Sequence, residues 1–213
     1  MSRALLCAIA AALLLGGCAA VRAGQTVRTY RLSYPPPKPL PPPPLPVTVR
    51  VMPFGVAVAY QSEAFVYRTA RYDIGVDPYN RWISSPAGMI TDLLARDLSG
   101  SHAVQVVLQS PSALPADYEL GGHIETLEER DQDGGCMAHL RVRAFLVFVP
   151  RRGAREVAQQ ADFSIDEPCT AGDAESFVAA MSRAVQQVSD QVRAAILEAM
   201  RAKAAEARPP AQR

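Results

Sequence analysis

The stretch that decides the fold runs Cys136-Met137-Ala138-His139-Leu140-Arg141-Val142-Arg143-Ala144-Phe145-Leu146-Val147-Phe148. It turns through Arg151-Arg152-Gly153 and returns as Val157-Ala158-Gln159-Gln160-Ala161-Asp162-Phe163-Ser164-Ile165, ending at Cys169. Leu140, Val142, Ala144, Leu146 and Phe148 take every second position, the period of a strand buried on one face. Val157, Ala161, Phe163 and Ile165 form the answering face. With Arg152-Gly153 as a two-residue loop, opposed residue numbers sum to 305. Phe148 then faces Val157, Ala144 faces Ala161, Val142 faces Phe163 and Leu140 faces Ile165. Every pair is apolar. A slip of one residue would turn each of these side chains to the opposite face. The same register sets Cys136 against Cys169.

Outward from this hairpin, Tyr118, Leu120, Gly122 and Ile124 alternate. Asp131-Gln132-Asp133-Gly134-Gly135 is turn chemistry, so the three strands read as a meander. Upstream, Val47, Val49 and Val51 mark a strand. Pro53 and Gly55 signal an edge or bulge, after which Val56 and Val58 resume the pattern. Two short strands are expected over 64–69 and 71–76, and another over 103–108. Ser85-Pro86 reads as the cap and first residue of a helix, with Met89, Ile90, Leu93, Leu94 and Leu98 at helical spacing and Gly100 as its stop. Asp173 caps a second helix, whose stripe is Phe177, Met181, Ala184, Val188, Val192, Ala195 and Ala199, widened by Val185 and Ile196. The expected fold is α+β. A mainly antiparallel sheet with a C-terminal meander is packed by two helices, at about 85–99 and 174–200, in one domain over 47–200 with a flexible tail at 201–213.

The N-terminal end reads as an address. Met1-Ser2-Arg3 precedes an apolar run from Ala4 to Leu15, too short for the ~20 residues that span a bilayer. Leu15-Gly16-Gly17-Cys18 resembles the bacterial lipobox, in which the cysteine becomes the acylated first residue of the mature chain. Residues 1–17 are then a signal peptide and Cys18 the lipidation site. More than one acyl chain makes the anchoring stable. Ala19 is not the aspartate of an inner-membrane retention signal, which favours the outer membrane. Cys136 and Cys169 are the cysteines left once Cys7 is cleaved and Cys18 acylated, and an exported compartment is oxidising. A Cys136–Cys169 disulfide is expected, stabilising by about 3–4 kcal/mol on the loop-entropy model. The alternative is two free thiols.

Residues 18–46 form the expected tether. Nine of the chain's 18 prolines fall between Pro35 and Pro46, which predicts polyproline II. An SH3-type ligand is the sharper reading of that run, and a periplasmic setting suits it poorly. Thr29-Tyr30-Arg31-Leu32-Ser33-Tyr34 alternates like a strand, and either joins the domain sheet or belongs to the tether.

The 213 residues carry 22 basic and 21 acidic groups, a net charge of +1 that excludes a dedicated nucleic-acid binder. The total hides an uneven distribution. Residues 18–46 hold Arg22, Arg28, Arg31 and Lys38 with no acid, whereas the span 47–200 is strongly acidic. The basic N-terminal stretch suits anionic headgroups beside the anchor, at about 1 kcal/mol per charge.

Catalytic and metal-binding patterns are lacking in the sequence. His102, His123 and His139 have no ligand spacing to cysteine or acid, so no metal is expected. Gly121-Gly122-His123 lies within a strand pattern and marks a bulge. Asp131 and Asp133 lack the rest of a calcium loop. Glu125, Glu128, Glu129 and Asp131 read as a solvated strand end. No nucleophile elbow or phosphate loop occurs, so neither an enzyme nor a cofactor is expected. Tyr79 and Trp82 stand just before the first helix, either packing its entry or forming an aromatic contact for a partner.

The order of these features resembles the ABC-type transport auxiliary lipoproteins, of the kind found in the paraquat-inducible system. The residues that carry the resemblance are the lipobox, Tyr30-Arg31-Leu32, Val47-Thr48-Val49-Arg50-Val51-Met52-Pro53 and Phe65-Val66-Tyr67-Arg68. Tyr79-Asn80-Arg81-Trp82, Leu94-Ala95-Arg96-Asp97-Leu98, Ala116-Asp117-Tyr118-Glu119-Leu120 and Phe163-Ser164 before a long closing helix complete the series. The longer proline run and the cysteine pair depart from the family pattern. The resemblance implies a non-catalytic lipoprotein at the outer membrane, facing the periplasm. Its partners would be an ABC permease, an ATPase and a mammalian-cell-entry domain protein that together move lipid, and it leaves room for a homo-oligomer. An assembly or structural lipoprotein without a transport partner is the rival reading.

Overall fold

The computed structural model describes residues 26–132 and 135–206. Its elements are β1 (Arg28–Tyr30), β2 (Leu45–Val51), β3 (Gly55–Val56), β4 (Ala64–Ala70), β5 (Asp73–Trp82), α1 (Pro86–Gly100), β6 (Val104–Gln109), β7 (Tyr118–Gln132), β8 (Gly135–Phe148), β9 (Glu156–Cys169) and α2 (Ala174–Glu206). A single 3-10 turn, Val58–Tyr60, stands where the alternation through Val58 predicts strand.

The long strand β7 organises the sheet. Along one edge it pairs antiparallel with β8, which pairs antiparallel with β9. Its other edge receives three strands in succession: β2 at Tyr118–Leu120, β3 at His123–Ile124 and β4 at Glu129–Arg130, all parallel. The sheet therefore forks. Strand β6 extends it from β2, while β5 and then β1 extend it from β4. The class is α+β as expected, and its two longest ladders are antiparallel. The parallel junctions are the addition, because pairing across about 70 residues leaves no local sequence signal.

The expected register holds from Cys136–Cys169 to Leu146–Gln159, then shifts by one, so that Phe148 faces Glu156 rather than Val157. The two-residue loop is corrected accordingly, since the strands end at Phe148 and restart at Glu156. Pro150 cannot donate to a ladder, which ends the pairing early. In β7 a bulge at Glu125 switches which residues face the helices, from Leu120 and Ile124 to Leu127. Gly122, just before it, accepts the Phe54 ring where a Cβ would sit.

Helix α1 starts where Ser85-Pro86 predicts, although the Ser85 hydroxyl makes no capping hydrogen bond. Asp173 does cap α2: its Oδ1 accepts from the N–H of Glu175 at 3.0 Å and of Ser176 at 3.2 Å. Helix α2 runs on to Glu206, so residues 201–206 are helix rather than tail. Its stripe packs on β8 and β9 with Phe177, Met181, Val188 and Val192 buried. Phe65, Trp82 and Phe177 meet with ring centroids 4.4–5.9 Å apart, fastening β4 and β5 to α2.

The core begins before the expected boundary at 47. Strand β1 pairs parallel with β5, Leu32 and Tyr34 are buried, and the Ser33 N–H donates to Ser182 Oγ at 3.1 Å. The proline run is a strap over the sheet and α1, held by the Leu40 N–H to the Ser101 carbonyl at 2.8 Å and the Leu45 N–H to Ala103 at 2.9 Å. Strand 29–34 thus joins the sheet in part, and the tether shortens to the residues before it.

Candidate docking surface

Cys18, the expected lipidation site, lies outside the described residues. Cys136 and Cys169 form a disulfide across the ends of β8 and β9, with Cα atoms 5.0 Å apart. The two expected contact aromatics separate. Both lie in β5, which runs on to Trp82 instead of stopping near Val76. Asp77 makes this possible: its Oδ1 accepts from the N–H of Tyr79 at 2.7 Å and of Asn80 at 3.0 Å, a turn inside the strand. Trp82 then enters the aromatic core and is fully buried, so it contacts no partner. Tyr79 stays at the surface, 44% exposed.

Tyr79 borders an open cleft of about 470 Å³, lined also by Arg28, Tyr30, Asn80, Asp173 and Glu175. The cleft sits at the N-terminus of α2, but Asp173 already occupies that terminus. It offers polar side chains from β1, β5, α2 and the cap residue Asp173.

Of three buried carboxylates that went unrecognised in the sequence, Glu119 pairs with Arg50 and Arg155, each at 2.8 Å, and the other two are enclosed more deeply. Glu128 is fully buried, correcting the reading of a solvated strand end. Its oxygens accept from Tyr60 Oη, from Arg68 Nε at 2.7 Å and Nη2 at 3.1 Å, and from Arg130 Nε at 2.8 Å. Burial alone would push this carboxyl up; the donors from Arg68, Tyr60 and Arg130 outweigh it and hold it at about 2. Tyr60 is pushed up to about 12 by burial and by the Glu128 hydrogen bond. Asp97 accepts from Tyr34 Oη at 2.8 Å and Ser189 Oγ at 2.7 Å on one oxygen, and from Arg96 Nε at 2.9 Å and Nη2 at 2.7 Å on the other. It links the strap, α1 and α2. Burial, then Asp97, raises the Tyr34 hydroxyl well above its ordinary range. In both sites the carboxylate accepts from three or more donors, which makes them braces. Asp97 had a legible cue, since it lies three residues after Leu94 and seven after Ile90, on the inward arc of α1. Glu128 had none, because Tyr60 and Arg68 come from 60 or more residues away.

His139 Nδ1 lies 2.6 Å from Asp166 Oδ1 on the sheet's other face. Among the described residues no hydroxyl or thiol bonds the His139 ring, and no group of metal-binding side chains occurs. No described helix is long and apolar enough to cross a membrane.

The model of the ABC-type transport auxiliary lipoprotein component matches residues 30–193, from the end of β1 into α2. The chain belongs to that family. A Xanthomonas campestris protein of the DUF330 family shares the fold, with a TM-score of 0.74 at 18% identity over 84% of this chain and 99% of its own. An uncharacterised protein of known structure has a TM-score of 0.62 at 16% identity, covering 80% and 99%. No curated protein matches the chain. The family match begins at Tyr30, so it includes the strap as part of the auxiliary domain.

Proposed function

We propose that this protein is the non-catalytic, lipid-anchored member of an ABC-type transport system of the mammalian-cell-entry kind. Acylated Cys18 fixes it to the outer membrane, and the domain receives the periplasmic partner that carries lipid between membranes. The family match over residues 30–193 carries this reading, because it takes in both branches of the sheet from the end of β1, all of α1 and α2 as far as Arg193. The internal wiring supports it. A load applied at the tether enters β1, passes into β5 along the ladder, and reaches α1 and α2 through Tyr34, Asp97 and Ser189. A docking platform needs that rigidity, and an enzyme would need a reactive constellation instead.

Affinity capture from the envelope tests the reading. Recovery of a permease, an ATPase and an entry-domain protein is expected, as are neighbouring genes encoding them. Recovery of secretin or barrel-assembly proteins without those three would transfer the protein to the rival class of assembly lipoproteins.

A further inference from the structure

Among the described residues, seven of the thirteen notably exposed large apolar side chains fall along one branch of the sheet: Val27, Tyr67, Tyr72, Ile74, Val76, Tyr79 and Ile83. All belong to the β4–β5 hairpin or to the chain flanking β1 and β5. Tyr72, at the hairpin tip, is 86% exposed, and the Arg71 guanidinium lies 5.3 Å from its ring centre. Ile74 and Val76 share one face of the hairpin, while the Tyr67 ring covers Gly75 on the other. The tip thus sets Tyr67, Tyr72, Ile74 and Val76 among the polar side chains of Arg68, Thr69, Arg71 and Asp73, an amphipathic mixture. An interfacial lipid layer surrounds such a tip and favours aromatic rings and long cationic side chains beside apolar ones.

Direction supplies the second argument. Strand β1 runs parallel to β5 and pairs with it at Asn80–Trp82. Behind Arg28, Val27 and Thr26 continue in the direction of the hairpin tip, and Thr26 lines the cleft beside Tyr79. From Arg28 to Cys18 is ten residues, at most roughly 35 Å. From Asn80 back to Asp73 along β5 is at most about 23 Å at ~3.3 Å per residue, and less with the turn at Asp77. Ten residues are thus long enough to bring the anchor to the level of the tip. Between Asp73 and Tyr79 the edge of β5 has no outer strand among the described residues, and it faces away from acidic β7.

We infer that the β4–β5 hairpin sets Tyr72, Ile74 and Val76 into the headgroup layer of the membrane that holds the lipid anchor. The domain then stands on two feet, the acyl chains and the hairpin, which fixes its orientation. The inference rests on the lipid-anchor reading of Cys18.

The test uses the mature lipidated chain in vesicles of phosphatidylethanolamine and phosphatidylglycerol. An environment-sensitive fluorophore is attached at Tyr72→Cys or Ile74→Cys, with Gln160→Cys on exposed β9 as reference. Chains that float with the vesicles should show blue-shifted emission at 72 and 74, quenched by lipid-borne spin label, and water-like emission at 160. Floating chains whose probes at 72 and 74 are as wet as at 160 would overturn the inference and leave the anchor intact. Chains that do not float would remove the anchor reading, and the inference with it. Probes that become dry only when an envelope partner is added would assign the hairpin to a protein and overturn the lipid assignment.

Discussion

Replacing Glu128 by glutamine keeps the shape of the brace and removes its charge. The folded carboxyl sits at about 2, against 4.5 for the ordinary group. That gap of roughly 2.5 pH units corresponds to about 3 kcal/mol of stability. The raised pKa of Tyr60 reports the same hydrogen bond, so adding it would count one interaction twice. A depressed carboxyl stabilises fully above its unfolded pKa and loses that contribution as pH falls through the folded value. The difference between wild type and Glu128→Gln should therefore be flat near pH 7 at about 3 kcal/mol. It should drop to roughly 2 kcal/mol at pH 3.5 and nearly vanish by about pH 2. Arg68 and Arg130 are partly exposed and can rehydrate, so the loss should not exceed about 3–5 kcal/mol. Urea titrations of both proteins across this range measure it, since urea leaves ion pairs unscreened. A difference below about 1 kcal/mol at pH 7, or one unchanged between pH 7 and 3, would refute the brace.

Further outcomes follow from the same contacts. Tyr34→Phe removes one donor from buried Asp97 and should cost about 1.5–3 kcal/mol, with faster hydrogen exchange over 28–34 than elsewhere. Loss of stability without that local change would show that the strap does not depend on Asp97. Cys136→Ser with Cys169→Ser frees a loop of sequence separation 33 and should lower stability by about 3–4 kcal/mol in urea, with no free thiol in the unreduced parent. Gly122→Ala sets a methyl against the Phe54 ring and 2.7 Å from the Arg143 carbonyl, so thermal melting should show a loss of about 1–3 kcal/mol. Gly100→Ala, with open space around it, should lose none.

The C-terminal half of the fold was legible because its information is local. Alternation from Leu140 to Leu146 and from Ala161 to Ile165 specifies a register, and Asp173 specifies where α2 begins. The seven-residue connection hid behind Arg152-Gly153, which imitates a tight turn. Composition misled at Pro35–Pro46, where prolines that read as a tether form a strap because Leu32, Tyr34 and Leu45 flank them with core contacts. Pro78 and the predicted end near Val76 concealed the rest of β5, since the Asp77 turn that carries the strand past it depends on backbone geometry. Of the candidate site, Tyr79 and the cysteine pair were readable by residue type. The exposed face at Ile74 and Val76 was not, because an alternating strand does not say which of its faces goes uncovered.

The fork at β7 also dictates an order of assembly. Strands β2, β3 and β4 find their central partner only once residues 118–132 exist, far downstream. A chain emerging from its N-terminus must hold its first hundred residues with that edge unmet, while β7, β8 and β9 can zip as neighbours as soon as they appear. The early half is therefore the part most exposed to wrong partners, and the part for which a holding chaperone would matter.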